Sequence, residues 1–457
     1  MRYISTRAQA PVLTFKEVLL AGLASDGGLY VPETIPQFSP QQLSRLATLS
    51  YNELAYEIIA PFVGDSFSET ELRSMIEAAY RPFAHGAIAP LTQLAHDQFV
   101  LELFHGPTLA FKDFALQLLG QFMSAALTGQ KKKSVVVGAT SGDTGSAAIA
   151  GLRGRKNIDI VILYPEGRPS DVQRRQMTTV ADANVHALAV KGTFDDCQDL
   201  VKAVFNDAAF RAEVNLLAVN SINWARVMAQ VVYYFYAALA LGAPARSINF
   251  CVPTGNFGDI YAGYVARRMG LPMGKLIIAT NSNDILARCL KTGEYKATQV
   301  SATLSPSMDI QVASNFERLL FDLYERDGNR IEQMMQDFKA AKSLTLSPAA
   351  HASFQTAFDA HAVDDATTLT VIQATHAHTG YLIDPHTACG VKAAAECSGP
   401  TVTLATAHPA KFPDAVKQAT GVSPALPAHL ADLYTRPERI TPMENNVETL
   451  KALVRSL

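Results

Sequence analysis

The chain has 457 residues, of which 48% are hydrophobic and 18% charged, with a formal net charge of −3 at pH 7. That length suggests about three units at roughly 150 residues each, and the apolar content supplies a large core and excludes wholesale disorder. Nucleic-acid binding is disfavoured, because it needs a surplus of Lys and Arg to displace counterions from phosphates.

Cys197, Cys251, Cys289, Cys389 and Cys397 follow no C-x-x-C spacing, and their odd number suits a reducing cytoplasm better than a disulfide framework. The segment Met1 to Thr6 lacks the apolar stretch of a signal peptide, and no run approaches the ~20 apolar residues that cross a bilayer. The expectation is a cytoplasmic protein without membrane association. The one basic run, Lys131-Lys132-Lys133, lies between a helical stretch and a strand and reads as a solvated loop.

Residues 1 to about 80 predict a small, mostly helical unit. Thr14-Phe15-Lys16-Glu17 and Ser68-Glu69-Thr70-Glu71 have the capping-box form, and Pro40 after Ser39 suits a first helical position. From about residue 99 short apolar runs alternate with polar loops and helical stretches, which predicts parallel sheets with helices on both faces. The strand candidates are 99–104, 134–139, 158–164, 248–252, 276–280 and 402–406. Their lack of polar alternation says that they are buried on both sides. Between about 283 and 380, extra helices are expected at 314–326 and 348–360.

Ligands of open α/β sheets collect beyond the carboxyl ends of the strands, so the strand-to-helix loops are where chemistry is sought. Phe104 to Asp113 places Lys112 at the start of an apolar helix, where the helix dipole and burial both disfavour ammonium. A neutral amine there can attack a carbonyl cofactor. On this loop alone, a surface lysine at a helix start explains the residues at least as well. Thr140-Ser141-Gly142-Asp143-Thr144-Gly145 and Pro253-Thr254-Gly255-Asn256-Phe257-Gly258-Asp259 each follow a strand and open a helix. Their glycines let backbone N–H groups approach an anion, although an ordinary tight turn remains open for each. Neither matches the dinucleotide or nucleoside-triphosphate pattern.

Thr406-Ala407-His408-Pro409-Ala410-Lys411-Phe412 offers a strand-end hydroxyl that either serves a pocket or caps a turn. In Asn220-Ser221-Ile222-Asn223-Trp224-Ala225-Arg226, Ser221 suits a helix N-cap and Arg226 is the only charge in a long apolar helix. A guanidinium there suits a phosphate or carboxylate, or else a structural carboxylate partner. His376, His378 and His386 form no convincing metal set, since nothing supplies matching carboxylates.

Together with Tyr3-Ile4-Ser5-Thr6-Arg7 and Gly22 to Pro32, these loops give the chain a resemblance along nearly its whole length to the threonine synthase family. It resembles the longer form with an extra N-terminal domain, within the pyridoxal-phosphate enzymes of the tryptophan-synthase β fold (fold-type II). The resemblance implies an N-terminal domain over 1–80, a catalytic region of two α/β subdomains over 81–425, and a helical tail over 426–457. It implies that Lys112 is the catalytic lysine and carries pyridoxal 5′-phosphate, that Gly255, Asn256, Phe257 and Gly258 cradle the cofactor phosphate, and that Thr406 meets the pyridine nitrogen. Ser141, Asp143 and Thr144, with Asn220, Ser221 and Arg226, fall where the family binds substrate.

The implied activity is a lyase reaction, the conversion of O-phospho-L-homoserine and water to L-threonine and phosphate, by a monomer or weak homodimer. The rival readings are a threonine or serine dehydratase of the same fold and a catalytically silent metabolite-binding paralogue.

Overall fold

The computed structural model describes residues 1–130 and 132–457. Lys131 of the basic run lies outside the described residues; Lys132 and Lys133 are exposed just before the strand at Ser134, and Lys133 Nζ lies 3.1 Å from Asp159.

The N-terminal unit pairs two short antiparallel strands, Tyr3–Ser5 and Tyr30–Pro32, and adds helices α1 (Phe15–Ala21), α2 (Pro40–Leu46), α3 (Tyr51–Val63) and α4 (Glu69–Tyr80). Reciprocal caps start these helices. The Thr14 N–H donates to Glu17 at 2.7 Å, and Ser68 N–H to Glu71 at 2.8 Å. Proline stands first in α2, as the sequence predicts. The unit is not freestanding: Phe15 meets Phe122 at 5.3 Å and Phe62 meets Trp224 at 5.7 Å between ring centroids, inside one continuous core. Arg7 also pairs with Glu317 at 2.8 Å.

The remainder builds two open, mostly parallel sheets. In spatial order the six-stranded sheet runs Phe358–Ala362, Met273–Thr280, Ile248–Pro253, Thr401–Ala405, Gln98–Glu102 and Leu91–Ala95, and only the last pair is antiparallel. The five-stranded sheet runs Thr441–Met443, Val185–Val190, Ile158–Pro165, Ser134–Ala139 and Leu216–Ala218, all parallel. Helices cover both faces. Along adjacent strands Val135, Val137, Val161 and Leu163 join one apolar cluster while Val136, Ile160 and Ile162 join another, as period-2 alternation between two covered faces requires.

All six predicted strands are present, with ends shifted by a few residues. Two predicted helices are shorter than expected. The one at 314–326 spans only Phe316–Leu323, because Glu325 and Arg326 take left-handed backbone conformations that end it. The one at 348–360 stops at Ala357, where Phe358 turns extended and enters the sheet edge as a strand. Residues 426–457, expected as a helical tail, hold the helix Val447–Arg455 and also the strand Thr441–Met443.

Seven further helices follow in chain order: α5 (Lys112–Ala126), α6 (Asp143–Leu152), α7 (Asp171–Thr178), α8 (Phe194–Asn206), α9 (Ala208–Val214), α10 (Trp224–Ala240) and α11 (Gly258–Arg268). Among the described residues no helix is long and apolar enough to cross a membrane.

Candidate active site

Lys112 is the first residue of α5, and the loop before it is clamped from within. Asp113 accepts from the Thr108 N–H at 2.8 Å and the Thr108 hydroxyl at 2.7 Å. Burial pushes the Asp113 carboxyl up to about 6, with the two Thr108 bonds opposing the rise. The loop is also tied to the last strand-end loop: Phe111 N–H donates to Thr406 O at 2.9 Å, and His408 N–H to Leu109 O at 3.0 Å. These bonds bring Lys112 and Thr406 to the same cavity.

The Lys112 side chain is 12% exposed. Burial lowers its pKa, Lys411 and Arg226 lower it further, and Asp143 opposes them. Asp143 opens α6 and receives four donors. Oδ1 lies 2.7 Å from Lys411 Nζ and 2.9 Å from Gln173 Nε2; Oδ2 lies 3.4 Å from Lys112 Nζ and 3.2 Å from Ser307 Oγ. Burial alone would raise the Asp143 carboxyl, yet the two lysines and Gln173 hold it well below the usual carboxylate range. Gly142, at φ 150°, leaves no room for a side chain, since a Cβ would meet Gln173 at 2.5 Å.

The loop Gly255 to Gly258 runs into α11 through Phe257 at φ 64°. It is a tight cradle. A Cβ on Gly255 would lie 2.9 Å from Ser307 O, and one on Gly258 would lie 3.1 Å from Asn315 Nδ2. Asn315 in turn donates to Asn256 O at 3.2 Å and Ser221 O at 3.3 Å, which draws the glycine loop and the segment before α10 together. Ser221 is not the cap expected of it. Asn223 caps α10 by accepting from Ala225 N–H at 3.0 Å, and its amide donates to Leu19 O at 2.9 Å, so the helix begins at Trp224.

Arg226 is 4% exposed, and its Nε and Nη1 have no hydrogen-bond partner among the described residues. Burial lowers its pKa to about 10. Among the described residues no carboxylate pairs with it, which removes the structural-carboxylate alternative. An unsatisfied buried cation of this kind is costly unless an anion completes it.

Lys112, Asp143, Thr144, Ser221, Arg226, Gly255, Asn256, Phe257, Gly258 and Thr406 all line one cavity. Ser141 and Asn220 do not: Ser141 is exposed, and Asn220 lies beside the cavity with its Oδ1 buried and without a partner among the described residues. The cavity also takes Gln230, Asp259, Ser307 and His386, which the sequence did not single out as ligands. His386 Nδ1 lies 2.6 Å from Asp384, and its Nε2 accepts from Ser307 N–H at 3.2 Å. His376 and His378 sit elsewhere, on the helix Asp365–Thr379.

A buried amine, a glycine cradle at a helix start and a strand-end hydroxyl fit the carbonyl, phosphate and ring nitrogen of pyridoxal phosphate. Similarity to known proteins agrees. The family described as "Threonine synthase N terminus" matches residues 2–80, "Pyridoxal-phosphate dependent enzyme" matches 88–362, and "Threonine synthase, C-terminal" matches 387–454. A threonine synthase of Pseudomonas aeruginosa is 54% identical, over 99% of this chain and 98% of its own.

The crystal structure of pyridoxal-phosphate-bound threonine synthase from Brucella melitensis superposes with a TM-score of 0.98 at 53% identity, covering 100% of this chain and 99% of that one. The yeast threonine synthase structure gives 0.94 at 42% identity, covering 99% and 98%. With its cavity, its two sheets and its full-length similarity all in accord, this chain belongs to the threonine synthase family of pyridoxal-phosphate enzymes.

Proposed function

We propose that this chain converts O-phospho-L-homoserine and water to L-threonine and inorganic phosphate, with Lys112 as its catalytic base. One observation carries the reading: the buried Lys112 amine shares a cavity with a glycine cradle and an unpaired Arg226 guanidinium, two separate places for phosphate.

Gly255, Asn256, Phe257 and Gly258, with the N-terminus of α11, would hold the cofactor phosphate; Thr406 would meet the ring nitrogen and Lys112 would attach to the carbonyl carbon. Pyridoxal phosphate, when bound, supplies an electron sink that acidifies C–H bonds next to the substrate amine. Lys112, once released from the cofactor, would take the proton at Cα and the one at Cβ; the Cγ–O bond to phosphate would break, water would add its OH at Cβ with its other proton passing to the phosphate, and Lys112 would return protons at Cγ and Cα. Burial moves the Lys112 amine's pKa downward, the direction that suits one group to both accepting and returning protons.

Arg226 and Ser221 would face the substrate's γ-phosphate and stabilise the departing dianion, with Asn220 holding the segment beside them. Thr144 and the amides that open α6 would meet the substrate carboxylate, with Ser141 at the rim. Asp143 contributes otherwise, because a carboxylate repels an anion and its oxygens are already committed to four donors.

We further propose domain limits of 1–80, 81–425 and 426–457, a cytoplasmic location, and a monomer or weak homodimer. The deciding experiment compares phosphate release from O-phosphohomoserine with ammonia release from threonine. Phosphate and threonine in equal amounts are expected; ammonia alone would mark a dehydratase.

A further inference from the structure

We infer that Lys411 is a positioning residue that acts on Lys112 through Asp143, holding the second carboxylate oxygen toward the amine and opposing the amine's protonation by its own charge. The inference rests on Lys112 being the base proposed above.

The Lys411 side chain has no exposed surface, and its ammonium is fixed between Asp143 Oδ1 at 2.7 Å and Thr108 O at 2.8 Å. With Gln173 also on Oδ1, the carboxylate cannot turn, and Oδ2 is left for Lys112 and Ser307. The two ammonium nitrogens bridge one carboxylate, so they stand no more than about 8 Å apart, where a buried pair of like charges matters at about one pH unit or more.

Asp143 beside Lys112 favours the protonated amine, against the larger effect of burial. A second cation on the same carboxylate offsets that attraction. The other charges near the amine are Arg226 on α10, Asp259 at the start of α11 and Asp113 beside it on α5, with His386 across the cavity; none of them hydrogen-bonds Asp143.

The test measures Lys112 itself. In the full chain stripped of cofactor, the pH dependence of Lys112 acetylation by acetic anhydride is read by peptide mass spectrometry, alongside the acid limb of the kcat profile of the loaded enzyme. Lys411→Met should move both midpoints up by about one pH unit, Lys411→Arg should leave them in place, and Asp143→Asn should move them down. A folded Lys411→Met protein with unmoved midpoints, or Lys411→Arg shifting as far as Lys411→Met, overturns the inference.

If Lys411→Met does not fold, Asp143→Asn is compared with the Asp143→Asn/Lys411→Met double variant, which leaves neither charge unpaired. A higher midpoint in the double variant supports the inference and equal midpoints overturn it. Borohydride trapping of the cofactor in the wild type separates the two levels: attachment away from Lys112 sinks the proposed function itself, whereas attachment at Lys112 with unmoved midpoints sinks only the role of Lys411.

Discussion

A Cβ placed on Gly120 would lie 2.0 Å from the carbonyl oxygen of Gly151. The reverse contact is nearly as close, since a Cβ on Gly151 would lie 2.3 Å from Leu116 O. Helices α5 and α6 therefore touch backbone to backbone, and they are the helices that begin with Lys112 and Asp143. Gly120→Ala is predicted to force them apart, lowering stability by about 1–3 kcal/mol in urea unfolding and slowing turnover. Unchanged stability would mean that the helices pack more loosely than this.

Lys112→Ala should abolish the visible absorbance of lysine-bound cofactor and reduce turnover by about 10³-fold or more. A variant with the wild-type spectrum would disprove the assignment of the lysine.

Arg226→Leu should separate function from stability. Removing a buried guanidinium with unpartnered nitrogens is predicted to raise the melting temperature, by relieving a cost of about 1–3 kcal/mol, while kcat/KM for the phosphorylated substrate falls about 10²-fold. A fall in both would assign Arg226 to structure.

Asp259 gives a pH prediction with a definite sign. Burial raises its carboxyl to about 6, against the opposing hydrogen bonds of Tyr233 and Tyr234. A folded-state pKa above the unfolded one contributes stability that is present below about pH 4 and lost as pH rises through 6. Asp259→Asn should therefore gain stability relative to wild type as pH rises from 4 to 7, by up to about 3 kcal/mol. Melting curves of both proteins across that range check it, and a constant difference would contradict it.

The site was legible where chemistry is local. Lys112, the Gly255 to Gly258 loop and Thr406 each stand at a strand-to-helix junction, a place visible in one short stretch of chain. The hub at Asp143 was not, because its donors Lys112, Gln173, Ser307 and Lys411 come from four separate segments, and no periodicity connects them. Strand Leu216–Ala218 is too short to carry a pattern, and Phe358–Ala362 follows a helical stretch with no Gly or Pro between to mark the change. The start of α10 is not legible in sequence, because Ser221 and Asn223 are both good caps and the bond from the Asn223 amide to Leu19 O joins residues far apart in the chain.

The strand order has a consequence for how the protein is made. The six-stranded sheet holds Gln98–Glu102 against Thr401–Ala405, and the five-stranded sheet is completed at one edge by Thr441–Met443. A chain emerging from the ribosome thus carries the start of both sheets long before it can finish either. Until Lys411 appears, Asp143 lacks its closest cation. The growing polypeptide must wait, partly open, until Thr401 to Lys411 have been made before the catalytic centre can close, and that interval is when it would most need shelter from aggregation.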